Sequence, residues 1–311
     1  MVDKHQMLEK YEGNPIISPK DFPGADAVFN CGQTMYEGKT ILLLSIILSG
    51  DPTPRIHIAE SSDGINFTIH PEPFITRAEE EPFRSLDFWV IDPRVTRIGD
   101  TYYIVRPGNS DKGVISLLEK TTDFKSRELI DIIALPDNRV PCLFPEKIDG
   151  SYVRLDRPYA PGAPDTHGHI WISYSPDLIH WGHHRFLIGP SWAMWNSYKV
   201  GPTPPIKTDK GWLVIIHGVA KSCAGVRYSL GALLLDLKDP SKIIGKTEEY
   251  ILTPDKTYEF QGNIPNVVFS CGAIADYEED RLRIYYGAAD TCIGLATGSL
   301  SYIVDACLGG E

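Results

Sequence analysis

The chain has 311 residues, and its 30 lysines and arginines against 41 aspartates and glutamates give a formal net charge of −11. Such an acidic chain lacks the excess of positive charge that drives binding to nucleic acid, and an anionic membrane surface would repel it. The composition therefore indicates that neither nucleic acid nor an anionic membrane is a binding partner. An anionic ligand would need a pocket in which a few basic side chains converge.

The start of the chain and its cysteines and histidines indicate where the protein works. Residues 1–10 contain no basic segment followed by an apolar stretch, so no secretion signal is visible. The longest mainly apolar run, residues 41–48, is too short to span a bilayer. The cysteines form no C-x-x-C pair, and the histidines have no partners at metal-ligand spacing. We predict a cytoplasmic protein with reduced thiols and no metal site.

Short runs rich in β-branched and aromatic residues recur along the chain and are typical of strands. They lie at residues 39–45, 100–105, 169–174, 211–217 and 281–286. Five runs in 311 residues correspond to about 62 residues per repeat, which is room for the four short antiparallel strands of one propeller blade. The first three runs are followed by a polar turn with an aspartate: Asp63, Asp123 and Asp177.

These repeats predict an all-β fold, a five-bladed β-propeller, with residues 1–311 forming one domain. A pair of β-sandwiches with accidental spacing is the alternative that the repeats leave open. Residues 32–40 (GQTMYEGKT) resemble a phosphate-binding loop, but five residues instead of four separate the glycines, and a strand follows where a helix is needed. We interpret this segment as a hairpin turn.

Two aspartates stand at the ends of apolar stretches. Asp92 follows residues 88–91 (FWVI), and Asp290 follows the apolar strand that ends near residue 289. A carboxyl group at the edge of a buried stretch is suited to donate a proton, because burial disfavours its charged form. Taken alone, Asp92 is better explained as a turn residue that caps the backbone before Pro93. Arg157 and Lys199 lie beside aromatic and proline-rich turns, where a surface charge is the simpler interpretation.

Several short motifs, taken in their order and spacing, resemble glycoside hydrolase family 130 over nearly the whole chain. They include residues 59–64 (AESSDG), 92–96 (DPRVT), 155–158 (LDRP), 198–201 (YKVG), 228–232 (YSLGA) and 286–291 (YGAADT). This family comprises β-mannoside phosphorylases and related β-mannosidases. The resemblance implies a five-bladed propeller, in agreement with the repeats.

The resemblance also implies a reaction. Asp92 matches the family's acid, which sends a proton toward the glycosidic oxygen, through a hydroxyl of the mannose ring. Phosphate then attacks the anomeric carbon with inversion and gives α-mannose 1-phosphate, so that phosphate replaces the water of an ordinary inverting enzyme. The implied ligands are a β-1,2- or β-1,4-linked manno-oligosaccharide and inorganic phosphate as co-substrate, without a further cofactor.

Eight other positions match functional residues of the family. Those implied for phosphate binding are Arg139, Arg157, Lys199, His217 and Tyr228. Those implied for binding the sugar are Asn30, Arg55 and Asp290. Because hydrolytic members lack the basic cluster, its presence favours phosphorolysis.

Two other functions remain open. A β-mannosidase would need a carboxylate that activates water, for which Glu146 and Glu259 are candidates. A propeller that only binds glycans would scatter the basic residues instead of gathering them with Asp92 in one pocket. The sequence leaves the oligomeric state undetermined, and a homo-oligomer is compatible with it.

Overall fold

The computed structural model describes residues 7–159, 168–191, 194–223 and 225–309. Five antiparallel sheets of four or five strands are arranged as a five-bladed β-propeller. The predicted fold class is therefore confirmed, and the alternative of two β-sandwiches is wrong. None of the helices in these ranges is long and apolar enough to cross a membrane.

The strands follow the blades in chain order. Strand β1 (Glu9–Lys10) comes first and belongs to the last blade. The first blade contains β2 (Ala25–Tyr36), β3 (Lys39–Leu48), β4 (Asp51–Ser61) and β5 (Thr68–Ile75). The second contains β6 (Arg94–Ile98), β7 (Thr101–Ser110), β8 (Gly113–Thr121) and β9 (Glu128–Ala134). The third contains β10 (Cys142–Leu143), β11 (Tyr152–Asp156), β12 (Ile170–Ser175) and β13 (Gly182–Ile188).

The last two blades have one extra short strand each. The fourth contains β14 (Lys199–Pro202), β15 (Ile206–Lys207), β16 (Trp212–Ser222), β17 (Gly225–Leu235) and β18 (Ile243–Lys246). The fifth contains β19 (Val268–Phe269), β20 (Ile274–Asp276), β21 (Arg281–Ala288) and β22 (Cys292–Ser299), completed by β1. Helices α1 (Thr257–Phe260) and α2 (Leu300–Cys307) and two 3-10 turns (Pro19–Asp21, Arg84–Leu86) complete the described secondary structure.

The start of the chain closes the ring. Glu9 of β1 pairs with Thr297 of β22, so the fifth blade takes its outermost strand from the N-terminal part of the chain. The Lys10 ammonium in β1 bonds to the buried carboxylate of Glu259 at 2.7 Å. Pairing between the two ends of a propeller protects the strand edge that would otherwise stay open.

Both faces of each blade are buried, which explains why the predicted strands are nearly continuous apolar runs. In β3, Leu42 and Leu44 pack toward the fifth blade, whereas Ile41 and Leu43 pack toward the second. Successive side chains of a strand point to opposite faces, so one strand serves two interfaces. Five apolar clusters, one at each interface between neighbouring blades, hold the ring together.

The repeated aspartate turns connect the third and fourth strands of the first three blades. Asp63 Oδ1 accepts the backbone N–H groups of Ile65 and Asn66, each at 2.8 Å. Asp123 and Asp177 accept backbone N–H groups in the same way. Asp236 does so in the fourth blade, a repeat that the sequence motif missed because no aromatic residue follows closely.

All five predicted strand runs lie in strands, and residues 32–40 form the β2–β3 hairpin, as interpreted. The turn residues Glu37 and Gly38 have positive φ, which suits a tight two-residue turn. The blades are less regular than equal spacing suggests. The run at 169–174 corresponds to the third strand of its blade, whereas the other four runs are neighbours of the first strand.

Candidate functional site

A cavity of about 490 Å³ lies where the five blades converge. Every blade contributes to its wall. Eight of the nine predicted site residues line it: Asn30, Asp92, Arg139, Arg157, Lys199, His217, Tyr228 and Asp290. Residues from positions 30 to 290 thus meet in one pocket, which is the convergence that distinguishes a catalytic site from scattered surface charges.

Asp92 lies in the connection that leads into the second blade, and its backbone is held from two sides. It has a φ of 52°, a left-handed conformation that aspartate tolerates better than most residues. Its backbone N–H donates to Ser45 Oγ at 3.2 Å, and its carbonyl accepts from Arg94 Nη1 at 2.6 Å. The side chain is buried, with only 4% of the residue exposed.

Asn30 orients the Asp92 carboxyl group. Its amide Nδ2 donates to Asp92 Oδ1 at 2.9 Å. Asn30 itself lies in an irregularity of β2, between Phe29 and Gly32, with a φ of 43°. A Cβ atom at Gly287 would come within 2.2 Å of Asn30 Oδ1, so the glycine leaves the space that this side chain occupies.

Asp290 is the other carboxyl group of the cavity. It follows β21 with a φ of 48°, and its carbonyl accepts from Asn263 Nδ2 at 3.2 Å. Burial raises the pKa of Asp290 to about 6, and the nearby Asp92 adds to the effect. Asp290 therefore stays protonated to a higher pH than an ordinary aspartate, and at neutral pH it is mainly a carboxylate, which only accepts hydrogen bonds.

Three basic side chains face these acids. Arg139 Nη2 lies 3.9 Å from Asp92 Oδ2. Burial, with Arg139 and Arg94 nearby, lowers the pKa of Arg157 to about 10. Burial, with Arg157 and Arg139 nearby, lowers the pKa of Lys199 to about 7. Desolvation and mutual repulsion both disfavour the charged forms of these groups. An anion placed among them offsets both effects and would therefore be bound strongly.

His217 and Tyr228 complete the basic side of the cavity. Arg157 Nη1 lies 3.0 Å from His217 Nε2, and since a guanidinium only donates, His217 accepts through this atom. Burial and the neighbouring Arg157 lower the pKa of His217 well below its ordinary value, so the ring is neutral. Tyr228 lies under Lys199 Nζ, 4.8 Å from its ring centroid, and burial raises its pKa, which keeps its hydroxyl protonated.

His217 therefore lies among the residues implied for phosphate binding without carrying a positive charge itself. The contact between His217 and Arg157 holds the guanidinium in place. Because the ring is neutral at neutral pH, it adds no positive charge to the cluster. A Cβ atom at Gly201, the cross-strand neighbour of His217, would come within 2.3 Å of its ring. This close approach explains why a glycine stands opposite the histidine.

Three predicted residues lie elsewhere. Arg55 forms an ion pair with Asp51 and is not part of the cavity wall, so its role in sugar binding stays a prediction. Glu146 pairs with Lys207 at the surface at 2.7 Å. Glu259 is fully buried, accepts from Lys10 and the Tyr286 hydroxyl, and does not line the cavity.

Sequence reasoning missed most of the apolar wall of the cavity. The expectation of a buried stretch before Asp92 is half right, because Val90 and Ile91 are buried while Phe88 and Trp89 are 38% and 45% exposed. Trp89 lines the cavity and offers a flat apolar face of the kind that sugars stack on. The other wall residues that were missed are Phe29, Ile47, Ile91, Val140, Asn263, Ile264, Val267 and Phe269.

The fold and the cavity define a class of protein: a five-bladed β-propeller with a central pocket in which carboxyl groups face a cluster of cations. Within that class, residues 5–308 match the model of glycoside hydrolase family 130, which is described as beta-1,4-mannooligosaccharide phosphorylase. The chain belongs to this family, as the sequence motifs implied.

Relatives match nearly the whole chain. It is 35% identical to a beta-1,4-mannooligosaccharide phosphorylase of Ruminococcus albus, over 97% of this chain and 91% of the relative. It is 40% identical to a 1,2-beta-oligomannan phosphorylase of Thermoanaerobacter, over 93% and 96%. The structure of a beta-1,2-mannobiose phosphorylase from Listeria innocua, in complex with beta-1,2-mannobiose, superposes with a TM-score of 0.87 at 33% identity, covering 96% and 99% of the two chains.

Proposed function

We propose that the protein is an inverting β-mannoside phosphorylase, which cleaves β-linked manno-oligosaccharides with orthophosphate and releases α-mannose 1-phosphate. One observation supports this most: Arg139, Arg157, Lys199 and Tyr228 converge in the same cavity as Asp92. In a chain of net charge −11, three cations gathered in one cavity suit a small anion. The names of the relatives above agree with this function.

The proposed roles divide the cavity into two sides. Arg139, Arg157 and Lys199 bind the phosphate oxygens, and the Tyr228 hydroxyl donates a further hydrogen bond. His217 serves this side by holding Arg157. Asn30 and Asp290 bind the hydroxyl groups of the mannose ring, and Arg55 remains a candidate at the edge of the sugar site.

The proposed chemistry is a single displacement. A phosphate oxygen attacks the anomeric carbon from the face opposite the leaving group, the bond from that carbon to the glycosidic oxygen breaks, and the leaving oxygen receives a proton that originates on Asp92. The shortened oligosaccharide and α-mannose 1-phosphate are the products. Orthophosphate is the co-substrate, and we propose that no further cofactor takes part.

Hydrolysis by the same fold is the second candidate. It would need a carboxylate placed to activate water, yet both candidates from the sequence, Glu146 and Glu259, are engaged elsewhere. Of the described residues that line the cavity, only Asp92 and Asp290 carry carboxyl groups. The basic side therefore supports phosphate rather than water as the nucleophile.

An assay with and without orthophosphate tests the proposal. The relatives act on β-1,4 and β-1,2 linkages, so both mannobioses are supplied as substrates. We expect mannose 1-phosphate only when orthophosphate is present. Equal release of mannose in both conditions, with no sugar phosphate, would show a hydrolase. Binding without turnover would favour a glycan-binding propeller. A cytoplasmic location and a homo-oligomer remain predictions.

A further inference from the structure

Three arginines of the described chain are almost completely buried, and one of them differs from the others. Arg94 and Arg106 are each 1% exposed, and Arg154 is 2% exposed. Arg106 pairs with Asp87 and Glu119 at 2.6 and 2.7 Å. Arg154 pairs with Asp156 at 2.9 Å. Among the described residues, Arg94 has no carboxylate within ion-pair distance. A buried charge without a partner is destabilising, so its presence requires another explanation.

Arg94 lies between the acid and the basic side of the cavity. Its Nη1 donates to the Asp92 carbonyl at 2.6 Å, whereas its Nε and Nη2 are buried without a hydrogen-bond partner in the described part of the chain. Its guanidinium carbon lies 5.8 Å from the centre of the Phe269 ring. That ring lies 4.7 Å from His217, which holds Arg157. Arg94 thus connects the acid Asp92 with the basic side of the cavity, although it does not line the cavity itself.

The backbone at Asp92 explains why such an anchor is needed. Its φ of 52° is a conformation that the surrounding structure has to impose. Pro93 follows and has no N–H group to fix the next peptide unit. The contact from Arg94 to the Asp92 carbonyl therefore fixes the peptide that carries the acid.

We propose that Arg94 is a positioning residue for the reaction. It holds the Asp92 backbone so that the carboxyl group meets the leaving oxygen, and its charge, which has no carboxylate within ion-pair distance in the described chain, extends the positive field that retains phosphate. This inference rests on the proposed phosphorolysis. It also explains why an unpaired buried guanidinium stays in the chain, because a function can maintain a destabilising arrangement.

Three variants test the inference: Arg94→Met, which keeps the bulk without the charge, Arg94→Lys, which keeps the charge without the forked geometry, and Arg106→Met as a matched control. Rates are measured as initial velocities of mannose 1-phosphate release, with phosphate and mannobiose varied separately. Thermal unfolding of each variant is followed by circular dichroism. The wild type is assayed in parallel, and if it makes no mannose 1-phosphate, the proposed function fails rather than the role of Arg94.

We expect Arg94→Met to lower kcat by about 100-fold through misplacement of the acid. It should raise KM for phosphate by about 10-fold through loss of a nearby charge, with KM for mannobiose unchanged. Arg94→Lys should keep KM for phosphate within about threefold of the wild type and recover only part of kcat.

The melting temperatures of the variants distinguish a positioning role of Arg94 from a purely structural role. Arg94→Met should melt no lower than the wild type, whereas Arg106→Met, which leaves two carboxylates buried and unpaired, should melt several degrees lower. Wild-type kcat in either Arg94 variant would overturn the positioning role. An equal rise in KM for phosphate in both Arg94 variants would overturn the role of the charge. If Arg94→Met unfolds, Arg94→Lys decides both points by itself: wild-type kcat overturns the positioning role, and a KM for phosphate raised by about 10-fold overturns the role of the charge.

Discussion

Asn30 Nδ2 donates a 2.9 Å hydrogen bond to Asp92 Oδ1, across the boundary between the first and second blades. Both residues have a left-handed backbone, with φ values of 43° and 52°. The bond fixes the rotation of the carboxyl group and leaves Oδ2 facing Arg139 at 3.9 Å. An acid held in this way is aligned before substrate arrives, which reduces the cost of reaching the reactive geometry.

Replacing the acid should stop turnover without unfolding the protein. In Asp92→Asn the amide has nearly the same shape and tolerates the same positive φ, but it cannot release a proton as a carboxylic acid does. We expect the rate of phosphorolysis to fall by about 10³-fold, in the range typical for loss of a general acid. Release of mannose 1-phosphate measures the rate, and a thermal melt checks the fold. Full activity of this variant would rule out Asp92 as the acid.

A single methyl group should disturb the basic side of the site. In Gly201→Ala the new Cβ would come within 2.3 Å of the His217 ring, which must shift and release Arg157. We expect KM for phosphate to rise by about 10-fold, with a smaller effect on KM for the sugar. Gly182→Ala is the matched control, because nothing lies within 4 Å of its Cβ position. Identical kinetics for both variants would contradict the role given to His217.

Phosphate binding should weaken as the pH rises through neutrality. Burial and the neighbouring arginines lower the pKa of Lys199 to about 7, so its charge is present below this pH and lost above it. Isothermal titration with phosphate at pH 6.5 and 8.5 should show weaker binding at the higher pH. The titration of phosphate itself is common to all variants, and Lys199→Arg, which stays charged, should show a smaller loss. The same pH dependence in both proteins would exclude Lys199 as its source.

The ion pair that closes the ring should matter for stability. Lys10 and Glu259 have side chains that are 5% and 0% exposed, at a distance of 2.7 Å. Lys10→Met would leave Glu259 buried without its cation, and we expect the free energy of unfolding to fall by about 3–5 kcal/mol. Lys39→Met, which removes an exposed pair with Glu60, should change it by less than about 1 kcal/mol. Urea denaturation measures both, and equal losses would argue against a special role of the closure.

The fold could be predicted because its determinants are local and repeated. A strand with both faces buried needs apolar residues at successive positions, as at 41–44, and an aspartate turn needs Asp63 at a fixed place before the next strand. Helix α2 was not predicted because its eight residues leave little room for a helical period to show. The N-terminal strand β1 could not be placed, since two residues carry no pattern of their own.

The candidate site was predicted because short motifs around Asp92, Arg157, Lys199 and Asp290 resemble those of glycoside hydrolase family 130. The same residues taken alone were equally compatible with turn caps and surface charges. Its apolar wall was not found, because residues such as Trp89 and Ile264 are indistinguishable from core residues in a sequence. Arg94 was quoted within the motif at 92–96, yet nothing in the sequence separated its role from that of an ordinary surface arginine.

The sequence by itself determined the alternation of strands and turns, the number of blades and the identity of the charged groups, because these depend on neighbouring residues along the chain. Only the tertiary structure decided which charges are buried, which are paired and which states they adopt. His217 is neutral because it is buried beside Arg157, and Arg94 is buried with no carboxylate of the described chain within ion-pair distance. Such properties depend on distances and desolvation between residues far apart in sequence, which only folding brings together.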